Sequence, residues 1–325
     1  MNQQGTTLED WHQVKPVTKR QPISLDLADS YLDRVTDLSP RPIATTQLLE
    51  LFAEPEQDID QVAALLRQEP SLTRKILQWR GCPALGEAEP ARCSLEVVHR
   101  LGFTEVSHLA ATLVTASTFL QVKTSAGMNV NQLWSHSVLS AVAAAEIAAR
   151  INDSEIAAFN AGLLHDIGKL IFISVEGAKY ASLVRMHGDC GRKLRQAEQM
   201  LFGVDHPILG ARLLSRWSVS ENIVSAVSQH HTAASLEGAA DLRLVVTLKL
   251  ANNLAHLLAS ENAQICDPTR CNPDGISALG LTADDIPNLV EQVEVKWRGV
   301  QRFAKLSFDA PAHLSNPLTT ATALA

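Results

Sequence analysis

Gly162-Leu163-Leu164-His165-Asp166-Ile167-Gly168-Lys169 is the stretch on which the reading of this chain turns. Adjacent side chains on a helix project about 100° apart. Even so, a neighbouring His and Asp can converge on one ion or on two ions side by side. The imidazole offers a nitrogen ligand and the carboxylate an anionic oxygen. Joined by histidines from other helices, they suit zinc, iron or manganese. The plainer alternative is a buried polar pair that hydrogen-bonds helices together. A buried carboxylate needs a partner under either reading.

Further histidines extend the pattern outward from this dyad. His136 lies in Trp134-Ser135-His136-Ser137, at the start of the preceding helix. His206 stands at a helix entry beside Pro207, where it acts either as a ligand or as a simple cap. His230 and His231 end a later helix, and one of them is expected to face the site and the other solvent. Asn252 follows in Leu250-Ala251-Asn252-Asn253-Leu254. These positions fall on successive helical segments, the arrangement by which a bundle builds a site in its interior. Lys169, one turn beyond His165, reaches the same mouth or is a solvated charge. His12, His99, His108, His187, His256 and His313 fit no pattern and read as ordinary.

The rest of the chain supports a helical frame. Its 325 residues are 46% hydrophobic and 19% charged, so it can bury a substantial core, and aromatics are only 5%. Ala and Leu are plentiful, and both cost little side-chain entropy in a helix. Apolar residues recur at helical spacing over 43–52, 58–67, 71–77, 95–101 and 104–120. A second run reads as helices over 131–151, 154–175, 180–187, 193–202, 206–217, 221–230, 242–259 and 283–303. Gly168 and the β-branched residues near Ile171 are signals for an early end to the helix carrying the dyad. The Ala run 141–149 reads as a close helix–helix contact. No strand-length alternation stands out. The expected division is a flexible leader (1–40) with room for one short helix over 25–35, a domain over 41–258, and a loop, helix and disordered tail (259–325). Within the domain, a smaller N-terminal helical subdomain (41–122) precedes a helical bundle (130–258).

The ordered set of a lone His, an HD dyad, a downstream His, a His-His pair and a final polar residue resembles the HD superfamily of metal-dependent phosphohydrolases. The closer resemblance is to the HDOD family. It is carried by 58–67, Glu69 to Leu77, Ser94 to Phe103, Trp134 to Ser137, Gly162 to Gly168, Asp205-His206, Gly210-Ala211, Trp217 and His230-His231. The resemblance implies an all-α, multi-helix domain used in bacterial signal transduction. It acts by protein or ligand binding, commonly without hydrolysis. It implies His136, His165, Asp166, His206, His230 and Asn252 as the metal-ligand positions, with His231 beside them. A divalent transition metal (Fe, Mn or Zn) is the implied cofactor, and Lys169 the group that meets a phosphate. The alternative activity is metal-dependent phosphohydrolysis of a nucleotide or cyclic dinucleotide. The related HD-GYP proteins share the His-Asp-Ile-Gly-Lys block and hydrolyse cyclic di-GMP. This chain has no Gly-Tyr-Pro after His230-His231, and it carries Asn252 where active HD enzymes use Asp. A neutral amide removes one negative charge from a site whose cation needs it.

Charge and cysteine usage bound the partners. The formal net charge of −7 gives no counterion-release energy on nucleic acid, so direct nucleic-acid binding is not expected. Arg192, Lys193 and Arg195 form only a small basic group. The five cysteines, Cys82, Cys93, Cys190, Cys266 and Cys271, are irregularly spaced and read as reduced thiols. No signal peptide and no uninterrupted apolar span is found, so a cytoplasmic protein is expected. Other signalling proteins and a nucleotide second messenger are the expected partners.

Overall fold

The computed structural model describes residues 25–35, 59–68, 76, 98–99, 101–122, 128–188, 191–231, 242–259 and 273–305. Its elements are α1 (Leu25–Asp33), α2 (Ile59–Gln68), α3 (Phe103–Gln121) and α4 (Val130–Arg150). They continue with α5 (Glu155–Leu164), α6 (Ile167–His187), α7 (Gly191–Phe202) and α8 (His206–Arg216). The series closes with α9 (Glu221–Gln229), α10 (Leu242–Ala259), α11 (Pro273–Ala278) and α12 (Asp285–Lys305). The fold is all-α, and no strand occurs among the described residues. The helices expected over 43–52 and, for the most part, over 71–77 and 95–101 lie outside the described residues, as do all the cysteines.

Helix α4 is the axis of the bundle. Helices α3, α5, α10 and α12 pack around it, and its residues from Val138 to Ala148 are buried throughout. Small side chains permit this crowding. A β-carbon at Gly162 on α5 would fall 2.6 Å from the Ala141 α-carbon, so the two backbones are in direct contact. The Ala run is therefore the helix–helix contact that its composition suggests.

Capping residues set the helix starts. Asn129 accepts from the Gln132 amide, Ser154 from that of Ala157 and Asp205 from that of Ile208. The segment expected as one helix over 154–175 is instead broken at His165-Asp166. Nor does it end early beyond the break. Helix α6 is two helical segments joined at Gly177, whose φ of 42° lies in the region glycine favours, and this break falls between the helices expected over 154–175 and 180–187. The early-end signals are overridden because Ile167, Leu170, Ile171, Phe172 and Ile173 are all buried in the core. Residues 155–187 have the length and hydropathy of a membrane span, but their apolar window is wholly buried inside this bundle.

Helix α1, inside the stretch expected as a leader, packs on α6 and α8. Ala28, Tyr31 and Leu32 join the main core. A second, smaller core gathers Val62, Leu66, Phe103, Val106 and Leu113, and Ile156 of α5 belongs to it.

Candidate metal centre

The break between α5 and α6 creates the site. Asp166 sits at the N-cap position of α6 but makes no capping hydrogen bond. Its carboxylate therefore turns inward, 1% exposed as a residue. Oδ2 accepts from Lys169 Nζ at 2.7 Å and lies 3.3 Å from His165 Nε2 and 3.8 Å from His136 Nε2. Oδ1 lies 3.3 Å from His206 Nε2 and 3.8 Å from His230 Nε2.

Glycine permits the approach of α8. A β-carbon at Gly168 would fall 2.0 Å from the His206 carbonyl oxygen and 2.7 Å from the Gly210 nitrogen. Without a side chain at Gly168, the N-termini of α6 and α8 meet and His206 reaches Asp166. Asp205 caps α8, so His206 is not the cap but the first residue of the helix.

The ring orientations are set from behind. His165 Nδ1 donates to the Gly162 carbonyl at 2.7 Å and His230 Nδ1 to that of Val227 at 2.6 Å. His206 Nδ1 donates to Glu198 Oε2 at 2.6 Å. Each of these acceptors requires the proton on Nδ1, which turns Nε2 inward, a free lone pair whenever the ring is neutral. Glu198 is itself fully buried. It accepts from the His206 amide at 2.9 Å and from the Tyr180 hydroxyl at 2.8 Å.

Burial, the largest influence, holds His136, His230 and His231 well below the ordinary histidine pKa. It also pushes the Asp166 carboxyl up, but the proximity of His165, Lys169 and His206 outweighs this and holds it well below the usual carboxylate range. The outcome is neutral imidazoles at His136, His230 and His231 around an ionised Asp166 carboxylate.

These groups fit a cation. The Nε2 atoms of His136, His165, His206, His230 and His231, with Asp166 Oδ1, are buried and have no hydrogen-bond partner. Such atoms are costly to bury unpaired. A ring nitrogen and a carboxylate oxygen 3.3 Å apart, as at His206 and Asp166, are held together by positive charge between them, a proton or a metal ion. Two donor groups result, each with its atoms within 4.8 Å of one another: Asp166, His206, His230 and His231, and His136, His165 and Asp166. Asp166 belongs to both. His230 is buried and His231 partly exposed, yet both contribute, because the chain turns at His230 and brings the two rings together, tilted, with centroids 4.1 Å apart. Asn252 is buried on α10 with Oδ1 unpartnered, one turn before His256.

A cleft of about 200 Å³ leads to this centre. His136, Lys169, Arg185, His256 and Tyr180 are among its lining residues. Lys169 is buried against Asp166, which overturns its reading as a solvated surface charge.

Comparison with known proteins agrees with this frame. The HDOD domain pattern matches residues 38–233. The chain belongs to the HDOD family. An HDOD domain protein of unknown function from Geobacter sulfurreducens superposes with a TM-score of 0.67 at 22% identity, covering 87% of this chain and 96% of that one. A protein of Shewanella amazonensis, provisionally named a phosphohydrolase, gives 0.64 at 21% identity, covering 89% and 100%. One from Marinobacter aquaeolei, provisionally named a signal transduction protein, gives 0.67 at 18%, covering 87% and 65%. At these identities the likeness is one of fold. An uncharacterised protein of Treponema pallidum (strain Nichols) is 24% identical over 207 residues, 63% of this chain. The chain spans 40% of that relative's length.

Sequence reasoning passed over Glu198 and Tyr180 within the matched HDOD segment and His256 beyond it. His256, read as ordinary, stacks on His136 with ring centroids 4.2 Å apart. One signal for Glu198 was present. It stands on the buried face of α7 with Leu194 and Ala197, a charge where the helical pattern calls for an apolar residue.

Proposed function

We propose that this chain is a signalling protein whose HDOD domain binds a phosphate-bearing ligand over a metal-holding His–Asp centre and relays the bound state to protein partners, without efficient hydrolysis. The observation that carries this reading is the buried, unpartnered donor set around Asp166, one member of which, His136, lines a cleft together with Lys169 and Arg185. Basic groups beside a cation site suit a phosphoryl group. The cleft, about 200 Å³, is smaller than the ~300–1,000 Å³ typical of pockets for drug-sized ligands. It therefore suits the phosphate end of a nucleotide messenger better than a whole dinucleotide. Two features favour binding over turnover. Asp166 is the only carboxylate in either donor group, and its Oδ2 already holds the Lys169 ammonium. Asn252 adds no charge.

A second reading, a metal-dependent phosphohydrolase, draws on the sharing of Asp166 between two donor groups. A cation held there would supply Lewis acidity toward a phosphoryl oxygen. Lys169 would neutralise charge on the transferring group, and the buried histidines would orient it and exclude water. Calorimetric titration of the full chain with guanosine polyphosphates, cyclic dinucleotides and inorganic phosphate, with Mn²⁺ present, decides between them. Binding without turnover, lost in Lys169→Ala, is expected. Manganese- or iron-dependent turnover abolished by His165→Ala would establish the second reading in its place.

A further inference from the structure

We infer that a single divalent transition-metal ion is held on the Oδ1 side of Asp166, by His206, His230 and His231, and that Glu198 is the positioning residue for this half of the centre. The inference rests on the metal-holding reading above and says which half is filled. The two carboxylate oxygens of Asp166 differ. Oδ2, facing His136 and His165, accepts from the Lys169 ammonium at 2.7 Å. A second cation on that side meets positive charge and a lone pair already engaged. Oδ1, facing His206 and His230, has no hydrogen-bond partner.

The surroundings reinforce the difference. Glu198, fully buried, stands directly behind His206, its Oε2 2.6 Å from Nδ1. A carboxylate behind a ligating histidine fixes the tautomer and makes the ring a stronger donor. Glu198 is itself oriented by the Tyr180 hydroxyl and the His206 amide, so the ring position is set at both ends. His165 and His230 have backbone carbonyls in that role. Among these three rings, only His206 is backed by a carboxyl side chain. The Oδ1 side thus offers three imidazoles and one carboxylate oxygen within 4.8 Å of one another. That donor set suits zinc, iron or manganese.

The test is titration of metal-stripped, full-length protein with Co²⁺, following the visible ligand-field spectrum and the bound equivalents by elemental analysis. One tight equivalent is expected for the wild type. His231→Ala, a change at a partly exposed position that the bundle should tolerate, is expected to weaken it at least tenfold. His136→Ala is expected to keep it within about threefold. Glu198→Gln is expected to weaken binding about 10–100-fold, the usual effect of removing such an outer carboxylate, with a shifted cobalt spectrum. An ion lost in His136→Ala but kept in His231→Ala, or two equally tight equivalents, would overturn the placement alone. Unchanged affinity in Glu198→Gln would remove the positioning role. Wild-type protein that takes up no Co²⁺ would overturn the metal-centre reading itself.

Discussion

Asp166 shows how one residue can be diverted from local to tertiary work. An aspartate at a helix N-cap ordinarily accepts from an amide of the first turn. Here that bond is not made, and the carboxylate is given to four histidine rings and Lys169. Gly168, two residues on, makes the geometry possible. The atoms a side chain there would meet are backbone, which cannot swing aside. Gly168→Ala is therefore expected to destabilise the fold by about 1–3 kcal/mol, the usual cost of overpacking, and to weaken metal binding by pushing His206 away from Asp166. Chemical denaturation and Co²⁺ titration measure the two effects. A variant with wild-type stability and affinity would show that the α6–α8 contact tolerates expansion.

At the scale of elements, α1 is clamped to α8, the helix that presents His206. Asp29 receives a two-pronged bond from Arg212, with Nε at 2.9 Å and Nη2 at 2.7 Å, and Arg216 Nη2 adds another at 2.8 Å. Arg216 also reaches Asp33 at 2.8 Å. Hydrogen bonds from the two arginines hold the Asp29 carboxyl down at about 2, from 3.8. In the unfolded chain this group takes up its proton near 3.8, and in the folded one only near 2. The stabilisation is present above pH 3.8 and is lost as the pH falls towards 2. Acid denaturation of Asp29→Asn should show lower stability than wild type at neutral pH and a shallower loss below pH 4, roughly the unperturbed Asp range. Superimposable curves would mean that the clamp contributes nothing in solution. High salt should narrow the difference, since the pairs are solvent-accessible.

For the whole molecule, the N-terminal core and the main bundle meet at α3 and α5. His108 of α3 stacks on Phe159 of α5 with centroids 4.0 Å apart, and its Nε2 is buried without a partner. Burial holds this imidazole down at about 3, from 6.5, with partial opposition from the Glu155 backbone. The ring is therefore neutral in the fold, whereas the unfolded chain binds a proton below 6.5. Nothing is lost above pH 6.5, and stability declines as the pH falls from there towards 3. One unit below the unfolded value the loss is about 1.4 kcal/mol. His108→Phe should remove this component and resist mild acid better than wild type in thermal melts at roughly pH 5.5, one unit below the ordinary histidine value. Equal pH dependence in the two proteins would show that His108 protonates without separating the cores.

The all-helical fold, most helix starts and the family were legible in the chain alone. Caps such as Ser154 and Asp205 and the 3.6-residue periodicity are written within a few neighbouring positions, so local physics suffices to read them. The ordered histidines and the His165-Asp166 dyad pointed to residues that the structure gathers around Asp166. What only the tertiary structure decided was which lone pairs face which. The pairing of Glu198 with His206, the stacking of His256 on His136, the turning of both His230 and His231 to one centre and the capture of Asp166 by Lys169 are examples. Several of these depend on how closely helices cross, and the crossing is set by side-chain-free contacts such as Gly168 against His206 and Gly162 against Ala141. Those contacts join residues distant along the chain, where no local periodicity records them.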